Sequence, residues 1–388
     1  MGLLSIGLFL ICPLIAVIVA AIGLIIGKEK HHKIYFLIIA FALAIIAYYF
    51  NPSSSDDLFR HHNDVITISN MSQTRIFGYL IGSSEQLSFI LKYLVGLTGN
   101  VDLLQFIITF ISYIIMFYLI DDSSKKYNVS KITFIFITIF TAISFNYLTI
   151  CSNLFNTLGL LVFSLGLYLE YNKENKKVLA YILYVISALI HFSLLFAIFI
   201  LLLFKLLGEK TNIKAIYLLL VIFLFIGPII EFMYRNIDLG IVKEIQTFYN
   251  NYFINQNEFE YLHTTNVLVV YLSKLLPYTI IYLFFKQEKT KLSDFAFLMT
   301  IAIVGLFPSS TFSIRFIPIV QLTGLPMLFS YFKNNGREFK ILLITLITIL
   351  IGVYTYYQYT QLHTRMSFDY SSLMFKNIVS IFNKSIKA

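Results

Sequence analysis

Residues 178–207 read VLAYILYVISALIHFSLLFAIFILLLFKLL, thirty positions holding one histidine, His191, and one lysine, Lys205. A soluble amphipathic helix keeps a polar face, and a half-buried strand alternates. This run does neither, so it must lie within an apolar phase on every side. A membrane crossing needs about 20 apolar residues, which makes thirty long for one span and short for two.

Runs of the same kind occur at about 3–27, 34–50, 103–120, 132–150, 154–171, 215–233, 267–285, 295–308, 314–332 and 341–358. Of the 388 residues, 58% are hydrophobic and 13% charged, and the mean hydropathy is +0.80. Soluble proteins carry about 25% charge, so a water-soluble enzyme is excluded. A disordered chain needs the opposite composition. The runs are continuous rather than alternating, which excludes a transmembrane barrel. We therefore expect an all-α, polytopic integral-membrane helical bundle. Cys12 and Cys151 form no spacing motif and are expected to be buried, inert thiols. The first run, Leu3 to Gly27, lacks a basic leader and is expected to span rather than to be cleaved.

Charge decides the ambiguous run. Lys28–Lys33, Asp121–Lys131, Asn172–Lys177, Lys205–Lys214, Lys286–Asp294 and Lys333–Lys340 hold 17 of the 23 lysines. Cytoplasmic loops collect lysine, so the net charge of +9 marks topology rather than affinity for nucleic acid. All six segments share one side only if 178–207 enters and leaves there, as a tight hairpin turning near His191. The result is about twelve passes (roughly 11–13) with both termini outside. The whole chain, 1–388, reads as one membrane domain with two larger extracytoplasmic loops, about 51–102 and 234–266.

The arginines segregate the other way. Arg60, Arg75, Arg235, Arg315 and Arg365 fall on the expected outer side and only Arg337 inside. A guanidinium offers a planar fork to phosphate or carboxylate oxygens, which lysine cannot. Arg315 stands between two apolar runs, where a charge is costly and marks a functional position or a snorkelling side chain. The first outer loop carries Asp56, Asp57, Arg60, His61, His62 and Asp64 within nine residues. If this stretch is helical, Asp57, Arg60 and His61 share a face. They then form either a surface salt bridge at a helix start or an acid–base group beside an anion site. His191 is a packing residue or a base. Asn153 and Asn156 are helix caps or sugar ligands. In the second loop, Glu231, Arg235, Asp238, Glu244, Glu258, Glu260 and His263 alternate with tyrosines and phenylalanines, as in a sugar cleft or an interfacial aromatic belt.

Two leading spans, then Asp57-Leu-Phe-Arg60-His61-His62, then the amphipathic stretch Glu85-Gln-Leu-Ser-Phe-Ile-Leu-Lys-Tyr-Leu before the next span, then Leu189-Ile-His191-Phe-Ser and Arg315 before a late span, form an ordered series. The series resembles the EpsG-like group of Wzy-type polysaccharide polymerases over roughly residues 1–360. The resemblance implies polymerisation of undecaprenyl-diphosphate-linked repeat units into O-antigen or exopolysaccharide, at the outer face of the bacterial cytoplasmic (inner) membrane. It implies Asp57, Arg60, His191 and Arg315 as site residues. Relatives often carry an arginine near the start of the fifth span. Cys151-Ser-Asn153-Leu-Phe-Asn156 has none, so that role passes to Arg75 or Arg235. His61 and His62 stand where tyrosines are commoner.

On this reading guanidinium groups clamp the diphosphate, and Asp57 or His191 takes the acceptor's proton. No cofactor and no metal are expected. The expected partners are the lipid-linked glycan, the bilayer and a chain-length regulator protein, with no nucleic acid. Two rival classes remain, besides a purely structural membrane scaffold. A flippase of the same lipids would carry charges at several depths, and a membrane O-acyltransferase would need a histidine reachable from inside.

Overall fold

The computed structural model describes residues 2–54, 56–210, 264–285, 288–306 and 313–365. The run 215–233 and nearly all of the second outer loop, Arg235 included, lie outside them. All regular structure among the described residues is helical. The chain divides into two compact units.

The first unit comprises Met1–Val162, Val185–Phe192 and Leu346–Ala388. Its helices are α1 (Gly2–Ile11), α2 (Pro13–Ile26), α3 (His32–Tyr48), α4 (Asp57–Ser69), α5 (Gln73–Gly82), α6 (Gln86–Gly96), α7 (Leu103–Tyr127), α8 (Lys131–Ser144), α9 (Tyr147–Ser152) and the start of α10 (Leu154–Asn172). The expected single span over 3–27 is two helices. Pro13 lacks an amide proton and forces the residue before it out of the helical region, and Cys12 sits at φ −145° and ψ 86°. Leu14 packs beside Tyr48, whereas Phe9 meets Phe41 edge-on at 4.9 Å, so α1 doubles back along α3. At 10 residues, α1 reaches only about 15 Å, half the hydrocarbon thickness.

The centre of this unit is α3 packed between α2 and α7. Phe36 stacks on Phe117 at 4.5 Å. Gly23 lets α2 approach the Tyr35 ring, where a Cβ would stand 2.5 Å from Cζ. At one end Lys131 donates to the Gly27 carbonyl (3.1 Å), which brings the first two lysine-rich segments together. His32 belongs to this end. It is buried, stacks on Phe134 at 4.9 Å and faces Asp121 at 3.4 Å. At the other end Asn100 donates to the Tyr48 hydroxyl (2.6 Å), and the 51–102 segment folds there as α4, α5 and α6 rather than as an open loop.

The second unit comprises Phe163–Tyr184 and Ser193–Thr345. It holds the end of α10, the first half of α11 (Lys177–Ile190), α12 (Leu194–Leu206), α13 (Thr264–Phe284), α14 (Lys291–Gly305), α15 (Ile317–Thr323), α16 (Leu325–Asn334) and the start of α17 (Arg337–Arg365). Phe163, Phe204 and Phe295 form its aromatic centre. The run 178–207 is broken at His191–Ser193, and the Lys205 ammonium returns to lie 4.8 Å above the Tyr181 ring. The run therefore reverses as a hairpin. Lys205 also binds Glu170 (2.6 Å), Lys291 and Tyr171 both bind Glu209, and the Glu288 amide donates to Ser330 (2.8 Å). These bonds gather the lysine-rich ends of α10, α12, α14 and α16.

Among the described residues, three helical segments are long and apolar enough to cross a membrane: Glu29–Tyr48, Leu103–Tyr127 and Leu154–Asn172. Five shorter apolar helices accompany them. Large apolar side chains lie open on their outer faces, among them Ile18, Leu37, Ile139 and Val178. In water such a surface would aggregate, whereas lipid covers it. The described residues form the all-helical fold of a membrane protein.

Candidate functional site

The first unit gathers most of the candidate residues at its end remote from the lysines. Asp56 stands at the N-cap of α4, and its carboxylate accepts from both the amide and the hydroxyl of Ser53 at 2.9 Å, closing the turn that leads into the helix. One turn later the face expected to unite Asp57, Arg60 and His61 is split. Asp57 and Arg60 pair on the outside at 3.3 Å, with the arginine side chain 67% exposed. His61 turns inward and meets the edge of Phe155 at 5.0 Å.

Two groups line the inner side. Lys92, on α6, is buried, donates to Asp64 at 2.8 Å and lies 5.2 Å over the Phe155 ring. His61 faces the same carboxylate at 3.7 Å, beyond hydrogen-bonding distance. Burial alone would raise the Asp64 pKa. The neighbouring imidazole and ammonium outweigh it and hold the carboxyl down at about 2. Burial is also the main influence on His61, and it lowers that imidazole's pKa.

The second group lies two turns back along α6. Glu85 caps that helix, and its Oε1 accepts the Phe192 amide at 3.2 Å. The same oxygen stands 3.5 Å from Nδ1 of His191. The two side chains remain 30% and 20% exposed, so the pair is reachable. The helix break at His191–Ser193 releases the Phe192 amide to bind Glu85. A carboxylate beside Nδ1 favours the tautomer with its proton there, and leaves Nε2 as the basic nitrogen. Such a pair can accept a proton from a hydroxyl and stabilise the imidazolium that results. Glu85 and Lys92 are seven residues apart on one face of α6, so the two groups lie about 10 Å apart.

His62 is engaged elsewhere. Its Nε2 bonds Gln105 at 2.7 Å, and Gln105 reaches the Phe50 carbonyl at 3.3 Å. Arg75 is exposed on α5. Asn153 ends α9, and Asn156 is buried in the first turn of α10. In the second unit, Arg315 lies half-buried in the turn before α15. Tyr271 holds Ser313, just ahead of it, by a hydrogen bond between hydroxyls. Arg235 is outside the described residues, and so are 307–312.

Three participants were missed from the sequence. Glu85 was noticed only as part of an amphipathic stretch, and nothing local ties it to His191. Gln105 looks like one more residue of an apolar span. Lys92 did leave a trace, because it is a lone charge among Ile90, Leu91 and Leu94.

The EpsG family matches residues 33–372 of the chain. No curated protein and no solved structure matches it.

Proposed function

The chain belongs to the EpsG family, and from that premise we propose that it polymerises lipid-diphosphate-linked glycan repeat units by glycosyl transfer. The membership itself indicates a polysaccharide-polymerase-type role. The finer reading places the reaction at the outer face of the bacterial cytoplasmic membrane, on undecaprenyl diphosphate carriers, in a chain of about twelve passes serving one activity.

The observation that carries the reading is the Glu85–His191 pair. The acceptor hydroxyl attacks the anomeric carbon of the donor. Its proton goes to Nε2 of His191 as the new C–O bond forms. The bond from the anomeric carbon to the diphosphate oxygen breaks, and the lipid diphosphate leaves with the electron pair. Glu85 holds the imidazole and balances its transient charge. Asp57, the other candidate base, is already paired with Arg60, which favours His191.

The leaving diphosphate needs cations. Arg315 is our first candidate, with Arg60, Arg75 and Arg235 in support, because a fixed guanidinium stabilises charge where it develops. No cofactor or metal enters the scheme. A chain-length regulator is the protein partner we propose.

The test is the surface glycan of a deletion strain. Wild type should restore a ladder of chain lengths, whereas His191→Ala, present in the membrane at normal levels, should leave single repeat units. A full ladder from His191→Ala would refute the assignment. Repeat units that never reach the surface in the deletion strain would indicate a flippase instead.

A further inference from the structure

The helix α5 has no buried residue. Phe77 is 65% exposed and Ile81 68%, one turn apart on the same side. Ile76 and Leu80 extend that apolar arc toward the protein and are half-buried. The opposite arc holds Arg75, Gly78 and Gly82, and a Cβ added at either glycine would meet nothing within 4 Å, while Gln73 and Thr74 of the first turn lie on the apolar side. Tyr79 lies at the boundary and stacks on Phe89 of α6 at a 6.4 Å centroid distance. Such a helix, left in water, would melt or aggregate, since 10 residues do not hold a helix alone.

Its level in the fold identifies what covers it. The helix belongs to the segment between the end of α3 and the start of α7, two helices of membrane-crossing character, and the Tyr48–Asn100 bond joins their mouths. Leu94 of α6 and Leu97 just after it are likewise exposed apolar side chains of this segment. A short helix with a cation on one side and large apolar groups on the other, at the mouth of a bundle, matches an interfacial helix. We propose that α5 lies in the headgroup layer of the bilayer, with Phe77 and Ile81 in the acyl boundary and Arg75 at headgroup level, where it meets phosphate whether of bulk lipid or of the lipid-linked substrate. It anchors the α4–α6 cap at the level where lipid-borne phosphate is presented. This holds whatever reaction the chain performs.

The chain contains no tryptophan, so one introduced indole reports alone. Phe77→Trp, and separately Ile81→Trp, should be placed in the full protein in lipid nanodiscs. Leu37→Trp, on the outer face of α3, serves as the lipid-contacting reference. We expect blue-shifted emission from both α5 reporters. It should be quenched strongly by lipids brominated near the headgroup, weakly by lipids brominated near the chain end, and hardly at all by iodide. Water-like emission quenched by iodide would overturn the proposal. Blue-shifted emission indifferent to bromine would also overturn it, because protein, from a second copy or another partner, would then cover the helix.

Discussion

The Glu85 carboxylate stands 3.5 Å from Nδ1 of His191 and, through the same oxygen, holds the Phe192 amide at 3.2 Å. A positioned general base contributes about 10²–10⁴-fold to rate. His191→Ala should therefore lose most of the polymerising rate. Glu85→Gln should lower kcat while leaving KM nearly unchanged, because Gln keeps the bond to Phe192 but not the charge facing the imidazole. Glu85→Asp should recover part of the loss. Single-turnover rates on a purified lipid-linked repeat unit separate these cases. A Glu85→Gln enzyme that matches wild type in kcat would remove Glu85 from the mechanism.

The Asp64–Lys92 pair predicts an asymmetry in stability. Lys92 is buried at 11% side-chain exposure, whereas Asp64 is 41% exposed. Asp64→Asn leaves a buried ammonium without a counter-charge, at a cost of about 3 kcal/mol or more. Lys92→Met strands a carboxylate that water can reach, and should cost less. Thermal unfolding in detergent would order the two. The reverse order would mean that the lysine is not the sheltered partner.

The same cluster sets a pH dependence. Asp64 is held at about 2, below its ordinary 3.8, so its contribution is complete above 3.8 and is lost as pH falls through about 2. His61 has a pKa lowered from 6.5, so the unfolded chain binds its proton first. Stability should therefore rise with pH toward about 6.5 and level off above it. Melting temperatures of wild type and His61→Asn from mildly acidic to neutral pH test this. The slope should be shallower in the variant, and an unchanged slope would assign it to another group.

Close approach of helices gives a packing test. A Cβ on Gly324 would stand 2.4 Å from Cδ1 of Tyr278, while one on Gly352 would meet nothing within 4 Å. Gly324→Ala should cost about 1–3 kcal/mol by overpacking. Gly352→Ala should be neutral or stabilising by up to about 1 kcal/mol, from helix propensity. Equal melting points for the two would contradict the packing of α15 against α13.

Arg315→Lys preserves charge but loses the planar fork. On the proposed scheme it should shorten or abolish the glycan ladder at normal expression. A full ladder would mean that a bare cation suffices there or that the clamp lies elsewhere.

The architecture was legible where physics acts over one helix or less. Apolar runs without a polar face marked a membrane protein, and lysine spacing alone placed a reversal near His191, where α11 gives way to α12. Pro13 was equally visible, but counting apolar residues across 3–27 masked the local stereochemistry that separates α1 from α2. His32 stands in the sequence among lysines that mark topology, yet it is buried against Phe134 and Asp121, which only the packing of α3, α7 and α8 reveals. The site was least legible. Asp57 and Arg60 satisfy each other locally, as their spacing allows. The partners of His191, His62 and Asp64 are Glu85, Gln105 and Lys92, and each depends on helices brought together from distant stretches of chain.

The most direct test of the central claim reconstitutes the protein in nanodiscs with a single lipid-diphosphate-linked repeat unit. Polymer and released lipid diphosphate are then measured together. The account predicts equal amounts of new glycosidic bonds and released diphosphate from wild type, and neither product from His191→Ala. Bond formation by His191→Ala at the wild-type rate, or polymer made without release of diphosphate, would contradict it.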